Sequence, residues 1–322
     1  MPNNKKDYRG QLIAKDKNIR LDLFLHHYFP SFSRTKIKKY ILSGQVLVNH
    51  KISSPSLILK GEEHVKYDFT LLDESSHILP EKIDLEILYE DQYIVAINKP
   101  PGLVVHPGNG VSDGTLANGL VFHFQELSKI NKSSPGIVHR LDKETSGVIL
   151  IAKNDEVHVN LSKQFESRLV NKVYRAIVWG NIEDSGLIKG FIARNPKNRT
   201  IFNLQKKGRD SESSFKKINY FEPLSYVEIY PKTGRTHQIR VHLKSISHPI
   251  LCDESYGGGS GRIKSYHIKH KKLLNLLCKS IGRVALHAYS IEITHPINHR
   301  KMKIFAPIPD DFNYILNILK EQ

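Results

Sequence analysis

Near the start of the chain, apolar positions recur first with the spacing of helices and then with that of strands. Leu21, Phe24, Leu25 and Tyr28 repeat at intervals of three and four, which predicts an amphipathic helix stopped by Pro30. Ser33 offers a side-chain oxygen to cap a second helix, Arg34 to Leu42, and Gly44 follows where a left-handed residue closes such a helix. Gln45 to Asn49 then reads as a short strand turning at His50-Lys51, and Lys60-Gly61-Glu62 makes another turn before Val65. Farther on, Tyr93 to Ile97, Gly147 to Ile151 and Tyr174 to Val178 read as strands separated by Gly and Pro turns and a few helical stretches. The pattern predicts a polar tail with little periodicity (1–18), a small helix-and-strand module (19–67), a linker rich in turn formers and charge (68–83) and a large mixed α+β domain (84–322).

Composition narrows the class. With 322 residues, 39% hydrophobic and 25% charged, the chain can bury a sizeable core and is expected to be globular. No apolar run approaches the roughly 18 residues that cross a bilayer. Met1 to Gly10 lack the apolar stretch of a secretory leader, so a cytoplasmic protein is expected. Cys252 and Cys278 form no Cys-x-x-Cys or Cys/His cluster at zinc spacing and are expected to be inert thiols.

Charge changes the picture more. A formal net charge of +16 favours a polyanionic partner, because lysine and arginine displace the counterions condensed on nucleic acid. Residues 1–70 alone carry 13 Lys and Arg against 6 Asp and Glu, and the second predicted helix holds Arg34, Lys36, Lys38 and Lys39 with no acid. Such a helix is either a solvated face or a nucleic-acid contact. The segment 262–283, with seven Lys and Arg, no acid and an apolar stripe at Leu273, Leu274 and Leu277, leaves the same two readings open.

Three clusters carry candidate chemistry. Gly136-Ile137-Val138-His139-Arg140-Leu141-Asp142-Lys143-Glu144-Thr145-Ser146-Gly147 packs cations, acids, hydroxyls and glycines between strands. Its structural reading is a turn in which the Asp142 carboxylate accepts backbone N–H groups near Thr145. In Lys232 to Leu243, Thr236 is placed to cap a helix with Ile239, Leu243 and Ile246 on its apolar side. Arg235, His237 and Arg240 then face a site or solvent, and their charge calls for an anion. Lys172-Val173-Tyr174-Arg175-Ala176 puts a phenol on a strand, where a core tyrosine is the ordinary reading.

The small module resembles the S4 RNA-binding domain, from Ile19-Arg20-Leu21-Asp22 through Ser33-Arg34-Thr35 and Gly44 to Asn49 as far as Leu59-Lys60-Gly61-Glu62. The three clusters in their order resemble the signature of RluA-type pseudouridine synthases. Asn98 to Pro107, Leu286-His287-Ala288 and Phe305-Ala306-Pro307 match it too. The resemblance implies a pseudouridine synthase fold, a central mixed and mostly antiparallel sheet flanked by helices, with a small S4-like domain before it. It implies that Asp142 attacks a target uridine at C1′ or C6, that Tyr174 lies against the uracil and removes the last proton, and that Arg240 pairs with Asp142 and orients it. Arg140 would fill the gap left by the extruded nucleotide, with His139 nearby, unless it is a surface arginine paired with Glu144. Leu286 would wall the uracil pocket, or be a plain core residue. Arg34, Lys38 and Lys39 would contact RNA. No metal or organic cofactor is expected, and the chain is expected to act as a monomer on structured RNA of the large ribosomal subunit. The alternatives are transfer RNA as substrate and a non-catalytic ribosome-assembly factor. One departure stands out: Cys252 occupies the usual glycine position before Asp253, and a modest local repacking is expected there.

Overall fold

The computed structural model describes residues 8–15, 17–30, 32–69, 78–108 and 110–321. The chain falls into two compact units, Met1–His77 and Ile78–Gln322.

In the first unit, the described strands are β1 (Arg9–Ile13), β2 (Ile19–Arg20), β3 (Val46–Val48), β4 (Lys51–Ile52), β5 (Ile58–Leu59) and β6 (His64–Asp68), with helices α1 (Leu21–Tyr28) and α2 (Arg34–Leu42) between β2 and β3. Helix α1 spans the predicted apolar positions and ends before Pro30, α2 keeps its predicted bounds, and the Ser33 side chain accepts the N–H of Lys36 as the expected cap. Leu21, Phe24, Leu25, Ile37, Tyr40 and Ile41 bury one face of each helix against Val46, Leu59 and Val65. The loose polar tail is corrected in part, because β1 pairs with β6 in antiparallel register from Arg9↔Asp68 to Ile13↔His64. Two partly buried residues on a five-residue edge strand leave too little periodicity to read. The expected linker also shortens. Strand β6 runs through Asp68, residues 70–77 lie outside the described ones, and Ile78 already packs against the core of the second unit.

That second unit contains β7 (Glu86–Glu90), β8 (Ile94–Lys99), α3 (Leu116–His123), β9 (Ser146–Ala152), α4 (Asp155–Glu166), β10 (Asn171–Trp179), β11 (Ser185–Arg194), β12 (Phe202–Gln205), β13 (Arg209–Phe221), β14 (Leu224–Pro231), α5 (Gln238–Ser245), α6 (Ser260–Ile263), α7 (Ile268–Ile281), β15 (Leu286–Thr294), β16 (Lys301–Phe305) and α8 (Asp310–Lys320). Its described strands form one sheet in the order β12-β11-β13-β14-β10-β15-β9-β8-β7, with β16 on β15. All its pairings are antiparallel except β15 with β9, so the predicted mixed, mostly antiparallel sheet is found. Strand β9 is buried on both faces, Ile149 and Ile151 packing with α3 and Val148, Leu150 and Ala152 with α4. This is why it reads as an unbroken apolar run and not as an alternating one.

Candidate active site

The loop that enters β9 lines a cavity of about 550 Å³ together with β10 and the segment before α5. Glycine makes the approach possible. Gly147 has φ +112°, and a Cβ there would stand 2.2 Å from the Ala288 carbonyl oxygen, so only glycine lets β9 meet β15. Asp142 sits just before this junction. Its turn is closed by backbone alone, Thr145 N–H donating to the Asp142 carbonyl at 3.1 Å. The carboxylate is therefore not spent on the turn and faces the cavity, with Arg240 Nη1 at 3.5 Å and His237 Nε2 at 4.0 Å.

Arg240 reaches it from α5, but its tightest partner is another acid. Nε and Nη2 fork onto the two oxygens of Asp253 at 2.7 and 2.9 Å, and Asp253 is fully buried. The guanidinium also lies over the Tyr256 ring, 4.7 Å from its centroid. Burial opposes its charge, yet the Asp253 bonds prevail and raise its pKa further. Arg240 is thus a held cation whose third nitrogen is left for Asp142.

The loop before α5 is fixed by Gln238. Its side-chain carbonyl accepts from Thr233 Oγ1 and Arg235 N–H, and its amide donates to Glu212 O and Ser213 Oγ. Thr236 does not cap the helix as expected. His237 occupies the cap position at φ +56°, and that left-handed residue delays the first helical turn to Gln238. His237 Nδ1 bonds Tyr256 Oη, which accepts the N–H of Phe202, leaving Nε2 toward Asp142. Burial lowers the His237 pKa against the pull of Asp142.

Tyr174 on β10 faces the same cavity, and burial, reinforced by the Asp142 charge, pushes its phenol well above the ordinary range. Leu286, 3% exposed, lines the cavity and also belongs to the main core. Arg140 is exposed at the cavity and makes no hydrogen bond or ion pair among the described residues; the alternative pairing with Glu144 is not formed.

His139 departs from expectation. Its Nε2 accepts the Leu150 N–H at 2.9 Å and its ring lies on Phe165, centroids 4.7 Å apart. Burial, with Lys172 nearby, drives its pKa down to about 3, so it supports the loop as a neutral ring and brings no charge to RNA.

In the first unit, Arg34 Nη2 and Arg20 Nε each lie 2.9 Å from the fully buried Asp22 carboxylate, and Lys38 Nζ lies 3.6 Å away. Arg34 and Lys38 are therefore held by an internal anion, whereas Lys39 is exposed without an ion pair among the described residues. Three cations around one acid leave an excess positive charge on this face.

Two supports escaped the sequence reading. Asp253 was legible only as part of the loop with the odd cysteine. Cys252 adopts φ +63°, a left-handed conformation that favours glycine, and Asp253 reaches Arg240 from beside it. Lys99, fully buried, donates to the carbonyls of Pro100, Leu103 and Lys143 and so ties the Asp142 loop to β8, although burial lowers its pKa to about 7.

Residues 93–245 match the model of the RNA pseudouridylate synthase family, and residues 19–65 match that of the S4 domain. The ribosomal large subunit pseudouridine synthase D of Neisseria meningitidis serogroup A is 38% identical over 305 residues, 94% of this chain and 79% of that protein. Its counterpart in Xanthomonas campestris is 35% identical, over 94% and 89% respectively. An uncharacterized RNA pseudouridine synthase of Aquifex aeolicus is 39% identical over 94% of both chains. Among solved structures, human RNA pseudouridylate synthase domain containing 1 shares the fold at a TM-score of 0.55 and 23% identity, covering 75% of this chain and 97% of its own. No helix of the described residues is long and apolar enough to cross a membrane. With an unspent carboxylate, a clamped arginine and a phenol gathered in one cavity, and with relatives matching across nearly its whole length, the chain belongs to the RNA pseudouridylate synthase family and carries an S4 domain.

Proposed function

We propose that this protein isomerises specific uridines of large-subunit ribosomal RNA to pseudouridine in the cytoplasm, acting as a monomer with Asp142 as nucleophile. The observation that carries the reading is the Asp142 carboxylate, free of its own turn and 3.5 Å from an arginine that Asp253 holds in place. A carboxylate so oriented adds to C1′ or C6 of an everted uridine, which splits a difficult glycosidic rearrangement into easier steps. The base then turns and rejoins through C5. Tyr174 lies against the uracil and takes the C5 proton as a phenolate, after its own proton has passed to solvent, an ionisation that burial and the Asp142 charge oppose in the resting site. Arg140, exposed and without an ion pair among the described residues, fills the place of the extruded nucleotide. Leu286 closes the apolar side of the pocket.

Ribosomal RNA is favoured over transfer RNA by the S4 unit, whose excess charge around Asp22 suits a large folded target, and by the substrate named for the bacterial relatives. Asp142→Asn and Asp142→Ala should abolish pseudouridine formation on RNA from a deletion strain while binding stays nearly unchanged; a variant that still turns over defeats the assignment. Mapping modified uridines in the ribosomal and transfer RNA pools of that strain decides the substrate. RNA containing 5-fluorouridine separates an enzyme from a non-catalytic assembly factor, which would neither rearrange nor hydrate the base.

A further inference from the structure

Three cations that line the cavity have no acid to answer them among the described residues: Arg140 is exposed, Arg235 donates to the Asp210 carbonyl at 2.9 Å, and the third is Lys172. Lys172, the second residue of β10, lines the same wall as Tyr174, and its Nζ makes a single long contact, 3.4 Å to the Thr233 carbonyl. Its neighbours are differently placed. Lys232 is paired with Glu212 at 3.2 Å, Arg168 with Asp210 at 3.3 Å, and Arg240 with Asp253. Among the described residues no carboxylate lies within ion-pair reach of Lys172. Burial lowers its pKa to about 8, so at neutral pH most molecules carry the charge, in surroundings that disfavour it. An ammonium kept half-buried without a counterion is a site for an anion that arrives with the ligand.

We propose that Lys172 is a phosphate-binding residue, its Nζ donating to a non-bridging oxygen of the RNA phosphodiester next to the everted uridine. The inference rests on the function proposed above and adds an anchor to it. Thr233, toward which Nζ points, begins the Gln238-locked loop that leads to His237 and Arg240, so a phosphate held there touches the segment that positions Asp142. A lysine suits this task because one compact, mobile ammonium matches the single charge of one phosphodiester, whereas a guanidinium fork favours bidentate recognition. The role is positional, and no proton transfer is assigned to Lys172.

The test uses the full chain and a transcribed large-subunit RNA fragment carrying the mapped uridine. Binding by Lys172→Met should weaken about ten-fold at low salt. Its plot of log Kd against log salt should be shallower by about 0.7–0.9, the share of one phosphate contact. KM should rise while kcat at saturation changes far less, and Lys172→Arg should restore most of the slope. A methylphosphonate placed at the 5′ or the 3′ linkage of the target uridine removes the charge from the other side. At one of these linkages it should weaken wild-type binding and add no further loss to Lys172→Met. An unchanged salt slope in Lys172→Met, or equal added losses at both linkages, overturns the proposal. Should Lys172→Met fail to fold, Lys172→Arg and the methylphosphonate series on the wild type still decide: no effect of either neutral linkage sinks it. Absence of turnover by the wild-type protein would defeat the proposed reaction, while the salt slope, read from binding alone, would still judge Lys172.

Discussion

The carboxylate of Asp142 takes no hydrogen bond from its own loop, and that single geometric fact separates a group free to face the cavity from a turn former. Behind it stands a relay of fixed charges, Asp142 to Arg240 to Asp253, whose last member is wholly buried and carries both strong bonds. Replacing Asp253 by Asn should therefore act twice. Breaking a buried pair leaves Arg240 without its matching charge, costing about 3 kcal/mol of unfolding free energy in denaturant titrations. A guanidinium released from the fork also misplaces Asp142, and a shift on the order of 1 Å lowers kcat by up to about 100-fold. RNA affinity should change little, because Asp253 lies beneath the site; a variant with normal kcat would show that Arg240 needs no such anchor. Asp142 and Arg240 both stand out in the sequence as charged residues in motif-like clusters. Asp253 does not, since nothing in Leu251-Cys252-Asp253 reveals that it folds under α5.

At the scale of elements, α2 was legible to the residue because its apolar spacing, cap and closing glycine all agree, and α1 was legible from its apolar spacing and the proline that follows it. What spacing could not reveal is that Asp22 of α1 gathers Arg20, Arg34 and Lys38 across the helix pair. Burial alone would raise the Asp22 pKa, but the bonds from Arg20 and Arg34 outweigh it and bring it from 3.8 to about 2. A folded-state value below the unfolded one means stability that is complete above about pH 4 and lost as pH falls toward about 2. Asp22→Asn should thus weaken the first unit at neutral pH, and the difference from wild type should shrink across that window. Hydrogen exchange of the amides in residues 9–68 measures it, and a difference independent of pH would refute the coupling. The loop before α5 shows the opposite case: Thr236 looks like a cap, yet Gln238 uses all its hydrogen bonds to hold the turn and His237 takes the left-handed position.

Over the whole molecule, the described part of the large sheet is two antiparallel halves joined at one seam, the short parallel pairing of Ser146 and Gly147 with His287 and Ala288. Asp142 hangs from one side of the seam, while Tyr174, Leu286 and Arg240 belong to the other. Gly147→Ala would set a Cβ against the Ala288 carbonyl in a backbone conformation that L-residues avoid. We expect a loss of about 3 kcal/mol or more, together with most of the activity, because the same shift parts the two sides of the cavity. The only tryptophan, Trp179, is fully buried on β10 and reports the unfolding of this unit by fluorescence. A variant of wild-type stability would mean that the seam tolerates the methyl group.

By itself the sequence determined the helix-and-strand module ahead of a larger mixed domain, the helices of the small unit, the main strands, the basic character and the three clusters whose residues line the cavity. These depend on periodicity, capping and composition, which are local properties of neighbouring residues. Tertiary structure alone decided that Asp253 clamps Arg240, that His139 is spent on the Leu150 amide, that Arg34 and Lys38 answer a buried acid, and that Lys172 is left without one. Which charge finds a partner depends on contacts between residues far apart in the chain and on how much water burial removes, and neither quantity is written in local spacing.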